Sequence, residues 1–412
     1  MENLLKKHVK GDKTLWVVFA FLCVLSTIEM YSASSTLAKS AENYMGPILR
    51  HVGFLLGGAF IAILVHMVSY KSIRMVAYFA LGLSVFLLIW VIFKGHSENG
   101  ASRWLVFLGV KFQPSEIAKL SVIVVAADLI SRIRDDAKNE WLYFRNTLII
   151  LAVICVLILF DNFSTAFLLF VVVLIMMFIG RVSLLKIFGL LGIMIVTLVL
   201  CFMLVKAVPQ SKMPKLFDRA YTWVARIDRF KTESKDESSK YIITDDNLQV
   251  QHGRIAIARG GVFGVFPGNS VERSFLPQAY SDFIYSIIVE EIGLVGGIFV
   301  ILLYLMLLFR AGRIATLCTT VFPALLVIGL ALMIVIQAFI SMSVATSLGP
   351  VTGQPLPLVS RGGTSILITC IYFGIIFGVT RQLSEENQND QKASNDEVRT
   401  EEMPVIELDD IS

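Results

Sequence analysis

Long apolar blocks separated by short polar stretches dominate the chain from residue 15 to residue 380. Apolar blocks of about 18 or more residues are typical of helices that cross a membrane. The pattern predicts ten such helices, at residues 15–33, 51–69, 76–93, 115–130, 147–160, 165–179, 187–208, 283–309, 322–346 and 365–380. The short blocks 147–160 and 165–179 are alternatively a re-entrant pair. The expected fold is an all-α polytopic membrane protein.

The positive charges between the blocks predict the orientation of the chain. With the amino terminus inside, the short inner loops carry the basic residues Lys71, Arg74, Arg132, Arg134, Lys138, Arg145, Arg181, Lys186, Arg310 and Arg313. The outer loops carry fewer, apart from the segment 94–119 and the long segment after Val208, and long loops do not follow the positive-inside rule. Short cytoplasmic loops are enriched in lysine and arginine, so this arrangement predicts that both termini are cytoplasmic. The long segment 209–281 then lies on the outer side.

The chain divides into three parts: a cytoplasmic amino terminus (1–14), a ten-helix membrane domain (15–380) and a cytoplasmic tail (381–412). The tail is polar and poor in aromatic residues, which predicts disorder. The first apolar block resembles a cleaved signal peptide in ending at Ser32-Ala33-Ser34. Its length and the interruption at Glu29 favour a retained first helix.

Composition supports the membrane interpretation and narrows the class of protein. Of 412 residues, 56% are hydrophobic and only 17% are charged, whereas soluble domains carry about 25% charged residues. The net charge of +4 is small, and we expect no nucleic acid partner. The five cysteines lie in or at the end of apolar blocks, without the spacing of a metal or redox site.

The outer segment 100–119 contains two candidate features. Glu116 and Lys119 are three residues apart on one face of a predicted helix, which indicates a structural or site-supporting ion pair. Arg103 has no acidic partner in its own loop. We therefore consider Arg103 the better candidate for binding an anionic ligand.

The segment 209–281 is predicted to contain an amphipathic, cationic helix around residues 216–230. Such a helix is suited to lie in the plane of the lipid headgroups, and a small subdomain packed on the membrane portion is the alternative. The glycine-rich run 260–270 follows, where backbone amides can approach a phosphate. Glycine-rich runs are usually ordinary loops, so this signal is weak.

The segment 348–365 is rich in proline and glycine and yet apolar. Irregular backbone at membrane depth is tolerated where protein buries it or where it lines a cavity. Arg361, between Ser360 and Gly362, is placed to face such a cavity.

Asp282 lies where a polar loop becomes the apolar block 283–309. Ionisable groups at the edge of a bilayer are costly and usually functional, but a carboxylate at a helix start is also stabilised by the helix dipole. The residues alone leave these two interpretations equal. Helical geometry places Glu290 to one side of the Asp282 stripe and Glu291 opposite, so Glu290 has a supporting role at most.

Three motifs, LPQAYSDFIYSIIVEEIGLVGG, GASRWL with FQPSEIAKL, and PVTGQPLPLVSRGGTS, closely resemble the SEDS proteins (shape, elongation, division and sporulation). The resemblance spans all ten predicted helices. The run Gly268-Asn269-Ser270 resembles the division branch, FtsW, more than the elongation branch, RodA. The chain departs from many relatives at YSDF and SRGG but keeps the aspartate.

The resemblance implies a peptidoglycan glycosyltransferase that polymerises lipid II at the outer face of a bacterial cytoplasmic membrane. Asp282 is then the catalytic base. The candidates for binding the substrate diphosphate are Arg103, Arg273 and Arg361, and Ser360 is a further candidate for binding substrate. A divalent cation, Mg²⁺ or Mn²⁺, held by Asp282 is left open. The implied partners are a class B penicillin-binding protein, other division proteins and membrane lipid.

Three alternatives to a division polymerase stay open from the sequence. They are a flippase for the lipid-linked precursor, an elongation-type polymerase and a non-enzymatic scaffold. A transporter is expected to place charges at mid-membrane depth and on both faces, whereas the unusual charges of this chain gather at the predicted outer edge.

Overall fold

The computed structural model describes residues 11–38, 45–94, 96–98, 101–107, 110–160, 162–208, 218–235, 243–244, 247–276 and 280–401. These residues form twelve α-helices and one small antiparallel sheet. The helices are α1 (Lys13–Ala38), α2 (Gly46–Met67), α3 (Tyr70–Lys94), α4 (Pro114–Asp135), α5 (Glu140–Leu159), α6 (Phe163–Ile179), α7 (Leu184–Ala207), α8 (Asp218–Lys235), α9 (Leu248–Gly260), α10 (Ile284–Leu317), α11 (Val321–Ala345) and α12 (Gly363–Glu401).

Each of the ten predicted spans coincides with one helix, α1–α7 or α10–α12, which confirms the fold class. Eight of the described helices are long and apolar enough to cross a membrane. The other two of the ten are α6, which is apolar but has 17 residues, and α4, which carries charged side chains in its interior.

The helices α4, α11 and α12 form the centre of the bundle. In α11 and α12, 78% of the most apolar stretch is buried, whereas in α7 the buried share is 6%. The buried charge of Asp128 in α4 is compensated by Arg74 and Arg132, at 3.4 and 2.9 Å, and by the hydroxyl of Tyr78 at 2.6 Å. A charged helix therefore occupies the core because its charges are paired there.

The helix α1 is also an integral part of the bundle. Leu15 and Leu22 are fully buried in the main core. Just before the helix, Asp12 accepts a hydrogen bond from Arg310 Nε of α10 at 2.8 Å. This ion pair fixes the start of α1 beside the second half of α10.

The small sheet is a feature that the all-α expectation missed. Its strands are β1 (His96–Glu98), β2 (Ala101–Phe107) and β3 (Val110–Phe112), in the order β1-β2-β3. Leu105 pairs with Phe112 across β2 and β3. Aromatic and β-branched residues in this loop favour strands, but the strands are too short to stand out beside the long apolar blocks.

The helix α12 continues past residue 381, where the tail is predicted to begin, and ends at Glu401. Disorder of the tail stays a prediction. Arg381 and Glu385, four residues apart, form an ion pair of 3.5 Å along this extension. The extension also lacks glycine and proline, so the helix that leaves the membrane domain has no local signal to stop. Residues 402–412 lie outside the described residues.

The amphipathic helix predicted in the segment 209–281 corresponds to α8 (Asp218–Lys235). Within the same segment the structure adds α9 (Leu248–Gly260) and a short 3₁₀ turn at Glu272–Ser274. The segment is therefore largely helical where it is described.

The helix α10 is interrupted at Gly293, whose φ of 81° and ψ of −176° are not helical. A Cβ atom at this position would lie 2.2 Å from the carbonyl oxygen of Val262. Glycine is required here because it combines a positive φ with the close approach of another backbone segment.

We expect Gly293→Ala to destabilise the protein, because a side chain in this conformation costs about 1–3 kcal/mol before the clash with Val262 is added. The measurement is thermal unfolding of the purified protein in detergent. Gly312→Ala is the matched control in the same helix, since a Cβ atom there meets no other atom within 4 Å. An equal midpoint temperature for both variants would contradict the proposed requirement.

Candidate active site

Asp282 belongs to a turn, residues 280–283, that precedes α10. Its side chain is half-buried, and Ser281 Oγ donates a hydrogen bond to Asp282 Oδ1 at 2.9 Å. The next residue, Phe283, is buried in a small apolar cluster with Val344 of α11. The turn is therefore anchored by an aromatic side chain while its carboxylate remains accessible.

The loop 346–362, between α11 and α12, lies against this turn. The backbone N–H of Arg361 donates to the carbonyl of Tyr280 at 2.9 Å, and the Arg361 guanidinium lies 5.0 Å from the centre of the Tyr280 ring. Ser360 Oγ donates to the carbonyl of Ser281 at 2.6 Å. The structure therefore brings the predicted residues Ser360 and Arg361 next to the turn that carries the predicted base.

The contacts of Ser360 are those of a positioning residue. Its side chain is buried, and its hydroxyl accepts a hydrogen bond from the backbone N–H of Leu356 at 2.8 Å in addition to the bond it donates. This hydroxyl joins the loop 346–362 to the Asp282 turn. The predicted contact of Ser360 with substrate stays a prediction.

The loop backbone also approaches the carboxylate directly. Gly353 has a φ of 69°, and a Cβ atom on it would lie 3.6 Å from Asp282 Oδ2. Leu358 has a φ of 64°, which is uncommon for a residue with a branched side chain. Such a conformation persists only where the surrounding structure holds it.

Four carbonyl groups of this loop each accept a hydrogen bond from a side chain of a different helix. The donors are Arg226 of α8 to Val351 at 2.9 Å, Gln337 of α11 to Pro355 at 3.1 Å, Tyr304 of α10 to Pro357 at 2.7 Å and Ser26 of α1 to Val359 at 3.1 Å. Irregular backbone inside a membrane domain needs such partners because water is absent. The same bonds fix the loop beside Asp282.

The predicted ion pair between Glu116 and Lys119 forms, with Oε1 and Nζ 2.9 Å apart and both side chains buried. Lys119 Nζ also donates to Gln337 Oε1 at 3.2 Å. Since Gln337 donates in turn to the carbonyl of Pro355, the ion pair supports the loop 346–362. The predicted ion pair is therefore present, and its role as a structural or a site-supporting pair stays a prediction.

Several residues that hold the site were missed by the sequence. His51 Nε2 lies 2.8 Å from Ser26 Oγ, and Gln354 Nε2 donates to Thr165 Oγ1 at 2.7 Å. The available signal was a polar residue inside an apolar block, as at His51 and Gln337. That signal indicates a polar contact but does not identify its partner, which depends on how the helices pack.

Arg273 lies in a different network from the Asp282 turn. Its Nη1 donates to the hydroxyl and the carbonyl of Ser32 in α1, at 2.8 and 2.9 Å, and lies 3.7 Å from Glu291 Oε1. Ser32 Oγ also donates to Glu291. These contacts give Arg273 the role of compensating a buried carboxylate, and they do not support the predicted role in binding the diphosphate.

Glu290, predicted to have a supporting role, lies at the centre of a further network of contacts. It is fully buried and accepts hydrogen bonds from the hydroxyl of Ser270 and from the backbone N–H of Val271, the latter at 3.0 Å. Arg259 Nε lies 3.7 Å from Glu290 Oε1. Glu290 thereby fixes the end of the glycine-rich run 260–270, whose backbone is directed to α10.

Arg103 lies in β2, in the loop between α3 and α4. Its side chain is outside the part of the chain that the structure describes. Its role as a ligand of an anion therefore stays a prediction.

The site combines an accessible carboxylate with a neighbouring guanidinium at one edge of a helical bundle. A carboxylate can accept a proton from a substrate hydroxyl, and a guanidinium can bind a phosphate oxygen. Among the described residues, no group of three or more His, Cys, Asp or Glu side chains is placed to hold a metal ion.

These features define a polytopic α-helical membrane protein with a carboxylate and arginine site at one end of its bundle. The family model FTSW_RODA_SPOVE, described as "Cell cycle protein", matches residues 12–385. The chain therefore belongs to the FtsW, RodA and SpoVE family of cell cycle proteins.

Similar proteins cover nearly the whole chain. The protein named "Probable peptidoglycan glycosyltransferase FtsW" of Saccharophagus degradans is 32% identical over 92% of this chain and 94% of its own length. The protein of the same name from Bacillus subtilis is 30% identical over 92% of each chain.

Solved structures share the fold. One, titled "Structural coordination of polymerization and crosslinking by a peptidoglycan synthase complex", has a TM-score of 0.68 at 23% identity and covers 90% of this chain and 98% of its own. The rod shape determining protein RodA of Thermus thermophilus has a TM-score of 0.60 at 22% identity, covering 90% and 97%.

We expect Lys119→Met to destabilise the protein by about 3–5 kcal/mol, because it leaves the buried Glu116 carboxylate without its partner. Denaturation of the purified protein in detergent measures the change. The double variant Glu116→Gln with Lys119→Met is expected to recover most of the loss.

Lys186→Met is the matched control for this prediction. Lys186 forms an ion pair of 2.6 Å with Glu140, but both side chains are partly exposed. Exposed pairs contribute about 0–1 kcal/mol, so the control is expected to change stability little. Equal losses for the two lysine variants would show that the buried pair has no special role.

Proposed function

We propose that this chain is a peptidoglycan glycosyltransferase that polymerises lipid II. The reaction is the transfer of a growing glycan from its lipid diphosphate to the next sugar. The observation that carries the proposal is the placement of Asp282 and Arg361 on two segments that are hydrogen-bonded to each other. The proposal is also supported by the similar proteins, which are named "Probable peptidoglycan glycosyltransferase FtsW".

The chemistry needs a base and a cation. Asp282 takes the proton of the attacking sugar hydroxyl, whose oxygen forms a bond to the anomeric carbon of the donor. The bond from that carbon to the diphosphate oxygen breaks at the same time, and the electron pair leaves with the diphosphate. Arg361 stabilises the negative charge that develops there. Arg103 remains a second candidate for this contact.

The position of the site suits a lipid-linked substrate. Asp282 precedes a membrane helix, so a polyprenyl tail in the bilayer presents its diphosphate and sugars at the level of the turn. Since the positive-inside pattern puts both termini in the cytoplasm, this edge is the outer face of the cytoplasmic membrane.

A divalent cation, Mg²⁺ or Mn²⁺, fits this site if the substrate supplies most of its ligands. Asp282 would hold the ion together with diphosphate oxygens, as is common for Mg²⁺ in phosphate sites. When bound, the ion would neutralise charge on the leaving diphosphate.

The proposed partner is a class B penicillin-binding protein, which cross-links the strands that this enzyme makes, together with other division proteins. The support is the similar structure whose title describes a peptidoglycan synthase complex.

A septal role in cell division is favoured over an elongation role because the similar curated proteins are named FtsW. Depletion separates the two roles, since filaments indicate division and round cells indicate elongation.

We expect Asp282→Asn to lower polymerisation by about 100-fold or more, because an amide cannot accept the hydroxyl proton. The assay follows glycan strands made from purified lipid II by the detergent-solubilised protein with its partner. Asp228→Asn is the matched control, since Asp228 on α8 forms a partly exposed ion pair with Lys206 on α7. Normal strand synthesis by Asp282→Asn would overturn the proposed mechanism. If neither the variants nor the wild type makes strands, the result favours a transporter or a scaffold.

We expect Arg361→Ala to reduce turnover by about 100-fold, as the loss of one preorganised donor to a developing charge does in other enzymes. Arg361→Lys keeps the charge and is expected to retain more activity. The backbone bond from residue 361 to Tyr280 is kept in both variants, so thermal unfolding should change little. Equal activity of wild type and Arg361→Ala at limiting lipid II would remove Arg361 from the site.

A further inference from the structure

The segment 248–276 runs beside the first half of α10. Gly253 of α9 packs on Phe283, and Gly260 packs on the backbone of Val289. The helix α9 therefore runs in the same direction as α10, away from the Asp282 edge and toward the middle of the bundle. Residues 261–266, which we call the tip, follow at the deep end of α9.

The tip is hydrogen-bonded to α10 at the interruption of that helix. Val265 N–H donates to the carbonyl of Glu290 at 3.0 Å, and Leu294 N–H donates to the carbonyl of Gly261 at 2.9 Å. Val295 N–H donates to the carbonyl of Val262 at 3.3 Å. The backbone groups that the interruption frees are thus satisfied by the tip.

The depth of the tip follows from the ends of α10 and α1. Arg310 pairs with Asp12 next to Lys13, where α1 begins, which marks one edge of the apolar layer. About 20 helical residues span the hydrocarbon core of a bilayer. The residue 20 positions before Phe309 is Val289, so α10 reaches the opposite edge of the apolar layer near Val289. Gly293 then lies about 6 Å inside the apolar layer.

The other helix of this region gives the same depth. Counting about 20 residues along α1 from Leu15 brings the edge near residue 35. Ser32, about 4–5 Å inside that edge, donates its hydroxyl hydrogen bond to Glu291. Both helices therefore place the tip within the hydrocarbon layer.

The surface of the tip is apolar and open. Phe263 is 80% exposed and Phe266 is 73% exposed, and Val262 beside them is also exposed. Leu294 and Ile298 on the adjoining face of α10 are exposed as well. The tip thus extends an apolar surface of a membrane-spanning helix.

We propose that the tip is a re-entrant wedge whose side chains Val262, Phe263 and Phe266 contact lipid acyl chains of the leaflet on the Asp282 side. The occupant is lipid because the wedge continues the membrane-facing surface of α10 at the same depth. Irregular backbone at membrane depth is tolerated where it is packed on protein. Gly264 packs on the backbone of Glu291, and the three hydrogen bonds to α10 hold the backbone of the tip against that helix while its side chains are exposed.

The wedge is linked to the candidate active site by the chain that returns from it. Residues 267–276 lead from the tip back toward the Asp282 turn, and Glu290 holds them through Ser270 and Val271. Part of the segment 209–281 thus lies in the membrane, where the sequence predicted an outer loop with amides near a phosphate. The proposal does not depend on the catalytic activity.

The test is spin-label accessibility in the full-length protein, reconstituted into vesicles of phosphatidylethanolamine and phosphatidylglycerol. The five native cysteines are replaced by alanine, and Phe263→Cys carries the nitroxide. Leu302→Cys is the lipid-facing control on α10, where Leu302 is 55% exposed. Ile243→Cys is the control for water, since Ile243 lies in the segment 209–281 and is 47% exposed.

The expected result is that the label at position 263 collides more with oxygen than with a water-soluble nickel chelate, as at position 302. A label that collides mainly with the nickel chelate, as expected at position 243, overturns the proposal. Protection from both reagents also overturns it, because the tip is then covered by protein. Phe266→Cys provides a second reporter if Phe263→Cys fails to fold, as judged by thermal unfolding.

Discussion

The need to satisfy backbone polar groups away from water governs the construction of this protein. The loop 346–362 is irregular and buried in a helical bundle, so its carbonyl groups need donors from the surrounding helices. Arg226, Gln337, Tyr304 and Ser26 supply them from four helices. Because these donors also fix the path of the loop, the requirement for hydrogen bonding and the placement of Arg361 beside the Asp282 turn have the same structural origin.

The same constraint explains the second irregular region. The interruption of α10 at Gly293 leaves backbone groups without helical partners, and residues 261–265 take their place. The chain enters and leaves this region next to the candidate active site. The proposed lipid-facing wedge and the turn that carries the candidate base therefore belong to neighbouring parts of the chain, both packed on α10.

The charges of the bundle follow a related rule. Buried charges are tolerated where they are paired, as Glu116 is with Lys119 and Glu291 with Arg273. Asp282 and Arg361 are half-buried at the edge of the bundle, where substrate can reach them. This distribution separates charges that stabilise the fold from charges that are available for chemistry.

The sequence by itself determined the ten apolar helices and the ion pair of Glu116 and Lys119, because hydropathy and helical spacing are local properties. Asp282 became the candidate base through the resemblance of its motif to the SEDS proteins. Tertiary structure alone decided which polar side chains meet. In the folded chain Arg273 pairs with Glu291, and Ser360 joins the loop 346–362 to the Asp282 turn by a hydrogen bond. The glycine-rich run forms hydrogen bonds with α10. Those partners come from helices distant in sequence, so no local pattern encodes them. The packing of the helices determines them because each buried polar group must find a partner there.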